Sequence, residues 1–194
     1  MSEYWPITLQ RNDVVLRPLR QRDKSRWNSV RAENRQWLSP WEATLPKLIQ
    51  GSHEGYPAAQ LPTFFDMVRG LNREGRRGHS YSFAIWHGSQ LIGQITLGGV
   101  IYGALRGAHI GYWIDRSFAN RGLTTTAVEA LTEFAFSSLG LHRIEINIRP
   151  ENEPSRKVAE KAGYHFEGER PRFLHIDGAW RDHLCFVKEN SAPN

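Results

Sequence analysis

Apolar residues recur along the chain with two periods, and the switches between them mark the expected elements. Val14-Val15-Leu16 opens a β-rich run that Pro18 closes, since proline cannot continue a hydrogen-bonded ladder. Arg22 to Asn34 is polar with Trp27 and Val30 at helical spacing, which predicts a helix that Leu38-Ser39-Pro40-Trp41 breaks. Gly51 to Pro62 is rich in turn formers and reads as a loop joining two helices. Thr63 is the expected N-cap of the second helix, which carries Phe64, Phe65, Val68 and Leu71 on one side.

From Ser80 the period falls to two. Tyr81 to Trp86, the His87-Gly88-Ser89 turn, Leu91 to Ile101 and Ala108 to Ile114 predict an antiparallel meander. Ala127, Leu131, Phe134, Ala135 and Leu139 return to helical spacing until Gly140, and Arg143 to Arg149 alternates as a strand. This β-α-β order calls for a parallel crossover. Asn152 to Lys161 predicts another helix, stopped by Gly163, and two last strands, Arg172 to Ile176 and His183 to Lys188, flank an Asp177-Gly178 turn. The expected class is α+β, a mixed, mostly antiparallel sheet with flanking helices. With no internal repeat or linker, the 194 residues are expected to form a single domain, 1–194.

Composition narrows the function classes. A hydrophobic fraction of 40% with 23% charged residues fits a soluble globular protein and excludes disordered or fibrous classes. No apolar run approaches the roughly 20 residues that span a bilayer, and Met1 to Gln10 lacks a cationic segment leading into an apolar one. A cytoplasmic protein without membrane contact is expected. Cys185 is the one cysteine, which excludes an intrachain disulfide and a cysteine-built zinc site; between Leu184 and Phe186 it reads as a buried strand thiol. No metal is expected. The balance of 25 Lys plus Arg against 20 Asp plus Glu, a net +5, favours an anionic partner: a phosphorylated cofactor, RNA or a ribosomal surface.

The stretch with most chemistry runs from His109 to Val128. A β segment ending in Gly111-Tyr112-Trp113-Ile114-Asp115 leads through Ala119-Asn120-Arg121-Gly122-Leu123-Thr124 straight into a helix. A loop rising into a helix N-terminus aims several unpaired N–H groups and the positive end of the macrodipole at one point, which suits a pyrophosphate. Gly122 lets the backbone approach phosphates, and Arg121 adds charge.

This stretch resembles the acetyl-CoA loop of the GNAT superfamily, Gln/Arg-x-x-Gly-x-Gly/Ala, with Gly122 at its fourth position and departures at Ala119 and Thr124. Gly140-Leu141-His142-Arg143-Ile144-Glu145, Asn152-Glu153-Pro154-Ser155 and Lys161-Ala162-Gly163-Tyr164 are similar to that family's later strand, Asn-containing helix start and Gly-aromatic pair. Trp37-Leu38-Ser39-Pro40-Trp41-Glu42 and Ile176-Asp177-Gly178-Ala179-Trp180-Arg181-Asp182-His183 resemble the RimJ-type ribosomal-protein alanine N-acetyltransferases within it.

The resemblance implies a GNAT fold with a splayed parallel strand pair and acetyl-CoA as cosubstrate. Pantetheine would pair with the backbone of Tyr112, Trp113 and Ile114, and the thioester carbonyl would face the amide of Trp113. Asn152 and Ser155 fall where relatives contact the pantetheine arm or the departing thiolate, while Asn152 is equally a natural N-cap. His109 matches the position of a catalytic glutamate in histone-acetylating relatives and is a chemically sound base; a structural strand histidine is the competing reading. The tyrosine acid of many relatives is replaced by Ala159, which leaves Ser155 or solvent near the thiolate. Trp37, Trp41, Glu42, His175 and Asp177 are candidates for the acceptor side. The acceptor implied is a protein N-terminal α-amine, as in a ribosomal protein. A small amine (an antibiotic, polyamine or amino-acid derivative) and a non-catalytic acetyl-CoA or RNA binder stay open as alternatives.

Overall fold

The computed structural model describes residues 4–46 and 62–191. The turn-rich segment expected from Gly51 lies outside the described residues as far as residue 61. In chain order the elements are strands β1 (Leu9–Arg11) and β2 (Val14–Arg17), a 3-10 turn (Gln21–Asp23), helices α1 (Lys24–Glu33) and α2 (Arg35–Leu38), and a second 3-10 turn (Ser39–Trp41). Helix α3 (Phe64–Arg77) precedes the meander β3 (Tyr81–His87), β4 (Gln90–Ile101) and β5 (Gly107–Ile114). Then come a 3-10 turn (Arg116–Phe118), α4 (Leu123–Ser137), β6 (Arg143–Ile148), α5 (Glu153–Lys161), β7 (His165–Ile176) and β8 (Ala179–Glu189).

The strands form one eight-stranded sheet in the order β1-β2-β3-β4-β5-β6-β8-β7, antiparallel throughout except for the parallel pair β5 and β6. The fold is therefore the mixed α/β arrangement expected. β3 is buried along Tyr81–Trp86 because helices cover both faces there, and the polar Ser82 within that run is satisfied by Thr96 Oγ1 at 2.8 Å. On one face α4 delivers Leu123, Ala127, Val128, Leu131, Phe134 and Ala135 into the main core. The other face is covered by a smaller cluster in which Trp27 and Val30 of α1 and Phe64 and Val68 of α3 meet Leu19, Trp86 and Leu91.

Two expectations about the fold are corrected. Phe65 is 54% exposed, because Phe64 and Val68, four apart, take the buried face of α3 and residue 65 lies about 100° around the helix from Phe64. The last two strands are far longer than Arg172–Ile176 and His183–Lys188: β7 begins at His165 and β8 at Ala179. Register shifts at Phe166/Gly168 and Arg170/Leu174 interrupt the alternation, and most of β7 is exposed, so no apolar period marks it. β1, with three residues and little burial, carries no apolar period either.

Candidate functional site

The parallel pair β5 and β6 is joined only at Gly107↔Arg143, Ala108↔Ile144 and His109↔Glu145. Beyond His109 the strands part, and one edge of β5 runs on to Ile114 without a strand partner. Which backbone groups line that edge follows from the other side. Asp115 N–H donates to the Ile92 carbonyl at 2.7 Å. Antiparallel pairs alternate between bonded and non-bonded, so Trp113↔Gln94 is also a bonded pair and Tyr112↔Ile95 is not. The Trp113 carbonyl accordingly stands against Gly93 of β4. The amide of Trp113 is thus turned to β4, and the groups facing the gap are those of Ile110, Tyr112 and Ile114. This corrects the expectation that Trp113 offers its amide there. The Ile114 carbonyl, on the gap edge, accepts the Trp37 indole N–H at 3.1 Å, which ties α2 to the end of β5.

After Ile114 the chain is shaped for an anion. Asp115 caps the following 3-10 turn, its Oδ1 accepting from Ser117 N–H and Ser117 Oγ, both at 2.9 Å. Ala119 is extended, Asn120 has φ 60° and Gly122, the N-cap of α4, has φ 78°. Left-handed backbone at Asn120 and Gly122 turns successive N–H groups inward, and a Cβ built on Gly122 would meet nothing within 4 Å, so that side of the loop is open. Leu123 and Thr124 bury their side chains while their N–H groups, in the first turn of a 15-residue helix, have no intrahelical acceptor. Arg121 stacks over Phe118 at 5.0 Å, leaving its charge at the loop. The residues present fit a bound pyrophosphate.

On the far flank of the gap, the Asn152 side chain accepts from Ser155 N–H at 3.2 Å, so it caps α5. The Ser155 carbonyl accepts from the Tyr112 hydroxyl at 3.2 Å, a bond from β5 to the first turn of α5. Burial pushes the Tyr112 hydroxyl well above its ordinary range, partly offset by that bond, so it stays protonated. Ala159, where relatives keep a tyrosine, is fully buried.

His109 stands at the closed end of the gap. A Cβ added to Gly98 would lie 2.9 Å from its Nε2, and one on Gly99 would lie 3.0 Å from its Cε1. The imidazole thus rests on the glycine bulge of β4, on the same face of β5 as Trp113. Desolvation holds His109 below the ordinary imidazole value, with Glu145 pulling weakly the other way. It is neutral at pH 7 and able to accept a proton. Burial would raise Glu145, but hydrogen bonds from Arg170 and Arg143 outweigh it and keep the carboxyl low and ionised. Arg170 reaches Glu145 at 2.7 Å, Arg143 reaches it at 3.1 Å, and Arg143 also pairs with Glu167. Glu145, Glu167 and Cys185 converge within 4.8 Å, a spacing that suits a metal ion, but Arg143 and Arg170 already neutralise those carboxylates. Cys185 is buried, and burial raises its thiol.

The acceptor-side candidates divide. Ala43 bridges Ile176, Thr44 N–H donates to the His175 carbonyl at 2.9 Å, and Asp177 N–H donates to the Glu42 carbonyl at 3.1 Å. Glu42, His175 and Asp177 are thereby gathered into one patch, with Asp177 in the left-handed turn at φ 47°. Glu42 is paired with Arg31, and the His175 ring meets Trp180 at 5.5 Å. Trp41 lies under Arg149 at 5.4 Å, and Arg149 also holds the Pro40 carbonyl at 2.8 Å. Trp37 sits apart, at the end of β5. Sequence reasoning missed the Gly98-Gly99 seat and the Tyr112 latch; paired glycines inside a strand were the available signal for the first.

A family model described as an acetyltransferase (GNAT) domain matches residues 13–165. The chain is 32% identical over 177 residues to a probable N-acetyltransferase, YjcK, of Bacillus subtilis, covering 90% of this chain and 93% of that protein. It is 27% identical over 180 residues to the [ribosomal protein uS5]-alanine N-acetyltransferase of Escherichia coli, covering 92% and 88%. Among solved structures, Mycobacterium smegmatis RimJ in complex with CoA-disulfide superposes with a TM-score of 0.83 at 35% identity, over 95% of this chain and 88% of that one.

Proposed function

The chain belongs to the GNAT acetyltransferase family, and on that premise we propose that it transfers acetyl from acetyl-CoA directly to the N-terminal α-amine of a protein. It is an N-acetyltransferase of the ribosomal-protein kind. The cosubstrate supplies an activated acetyl thioester whose thiolate is a good leaving group. The Gly122 loop and the first turn of α4 hold its pyrophosphate. The free edge of β5 from Ile110 to Ile114 orients its pantetheine arm, and an N–H on that edge, not that of Trp113, donates to the oxygen that gains charge. Ser155, at the start of α5, is the side chain that would lie beside the departing sulfur.

The observation that carries the reading is His109 at the closed end of the gap, its imidazole seated on Gly98 and Gly99 and held below its ordinary value. An α-amine has pKa about 7.7–8.0 and is roughly one-tenth neutral at pH 7, so an imidazole suffices to take its proton; a lysine or polyamine near 10.4 asks far more of the base. The patch of Glu42, His175 and Asp177, at the protein surface, suits an extended chain end better than an enclosed small molecule. The relatives' names agree in kind.

The test is acetyl transfer to peptides beginning with Ala or Ser, to the same peptides with a blocked N-terminus and an internal Lys, and to spermidine and an aminoglycoside. Transfer only to the free N-termini is expected; preference for a small amine or the internal Lys overturns the reading. His109→Ala should lower kcat about 100-fold at pH 7 and by much less at pH 9, where the amine is already neutral. A loss independent of pH would reassign His109 to structure.

A further inference from the structure

The net +5 charge is not used up by the cofactor loop. At the opposite side of the fold, against the β1–β2 edge, a groove of about 680 Å³ is lined by Pro6, Ile7, Pro18, Leu19 and Val68 and by four arginines, Arg20, Arg69, Arg73 and Arg76. Arg69, Arg73 and Arg76 stand at i, i+4 and i+7 on α3, one helix face, and Arg20 enters from the loop after β2. Among the described residues no acidic side chain lines the groove. Among the described residues, Arg73 alone of the four meets a carboxylate, the half-buried Glu74 at 3.6 Å; the nearby Asp23 is occupied by Arg17 at 2.8 Å. Beside the groove Phe65 is 54% exposed, with Arg69 over its ring at 5.8 Å and Gln21 donating to its carbonyl at 3.2 Å.

Like charges gathered along one wall repel one another, and a polyanion laid along them would relieve that repulsion while gaining charge-assisted hydrogen bonds. Guanidinium forks match phosphate oxygens, and an exposed ring stacked by arginine offers a platform for an unpaired base. A flat bilayer could not reach the floor of a concavity. We infer that this groove binds the sugar-phosphate backbone of single-stranded RNA, with Phe65 stacking a base. β2 and β5 are separated by three strand spacings, about 14 Å, so the groove is distinct from the cofactor gap, and the inference does not rest on the acceptor assigned above.

Fluorescence anisotropy with a labelled single-stranded RNA of about 20 nucleotides tests this against the full chain. Wild type should bind with a log K against log[salt] slope of about −2 to −3, as for three to four phosphates. The triple variant R69Q/R73Q/R76Q should bind at least about tenfold more weakly with the slope reduced by about 2, while peptide acetylation is unchanged. Phe65→Ala should weaken binding about tenfold with the slope intact, and it remains informative if the triple variant fails to fold. Absence of RNA binding at low salt, unchanged affinity in both variants, or displacement of RNA by excess coenzyme A would each overturn the inference. So would arginine-dependent binding to phosphatidylglycerol vesicles without RNA binding.

Discussion

Replacing Gly98 by alanine puts a methyl where the His109 imidazole now rests. The new carbon would stand 2.9 Å from Nε2 and 3.2 Å from Cε1, against an ordinary contact of about 3.5–4.0 Å. Because both close atoms belong to the far end of a rotatable side chain, the imidazole moves and the strand does not. The shortfall of roughly 0.6–1.1 Å sets the displacement, and a misplacement of about 1 Å at a reacting group costs about 100-fold. Gly98→Ala should therefore lower kcat by about 10- to 100-fold, about 1.4–2.7 kcal/mol of transition-state stabilisation. The KM for acetyl-CoA should hold, since the phosphate loop lies at the other end of β5, and the melting temperature should change little because residue 98 does not have a left-handed φ. The decisive assay is a double-mutant cycle: in the His109→Ala background, Gly98→Ala should cost almost nothing further. Equal losses in both backgrounds, or wild-type kcat in the single variant, would refute the seat.

Two further outcomes follow from the same geometry. Gly122→Ala clashes with nothing within 4 Å but forces an alanine to φ 78°, a cost of about 1–2 kcal/mol; relief of that strain distorts the loop, so the KM for acetyl-CoA should rise several-fold with kcat largely kept, as measured by initial rates. Desolvation holds both His109 and His183 below the ordinary 6.5, so near that pH the unfolded chain binds more protons than the folded one. Stability should then be fully present above about 6.5 and be lost as pH falls through the lower folded values; thermal melts between pH 8 and 5 should show this fall, shallower in a His109→Ala/His183→Ala variant.

The central elements were legible because burial imposes a period on them. Tyr81, Phe83 and Ile85 of β3 and the α4 positions Ala127, Leu131 and Phe134 answer to one core, and their spacing announces it. β7 could not be read that way: most of it is exposed and two register shifts break its alternation, so only its turn at Asp177-Gly178 left a mark. The patch of Glu42, His175 and Asp177 depends on a segment at 42–44 pairing with residues more than 130 positions away, a long-range contact that no local period encodes. The arginines at 69, 73 and 76 share a helical spacing that the sequence analysis did not single out; their significance lies in the scarcity of carboxylates around them among the described residues, which is a property of the folded surface.

The Trp113 amide shows a different limit. Side-chain identity reports which face of a strand a residue occupies, and on that score Trp113 was read correctly as part of the strand beside the gap. It does not by itself say which edge the residue's N–H and C=O address, because edge alternates in step with face and becomes known only once the strand's direction and its neighbours in the sheet are known. Here one bond, Asp115 N–H to the Ile92 carbonyl, fixes the parity for the whole strand. A slip of one residue between β4 and β5 would turn Trp113 toward the gap and hide Tyr112, but it would also lift the His109 ring off Gly98 and swing Ile110 out of the core. The register that buries Ile110 and seats His109 is thus the same one that presents the even-numbered amides of β5 to the gap.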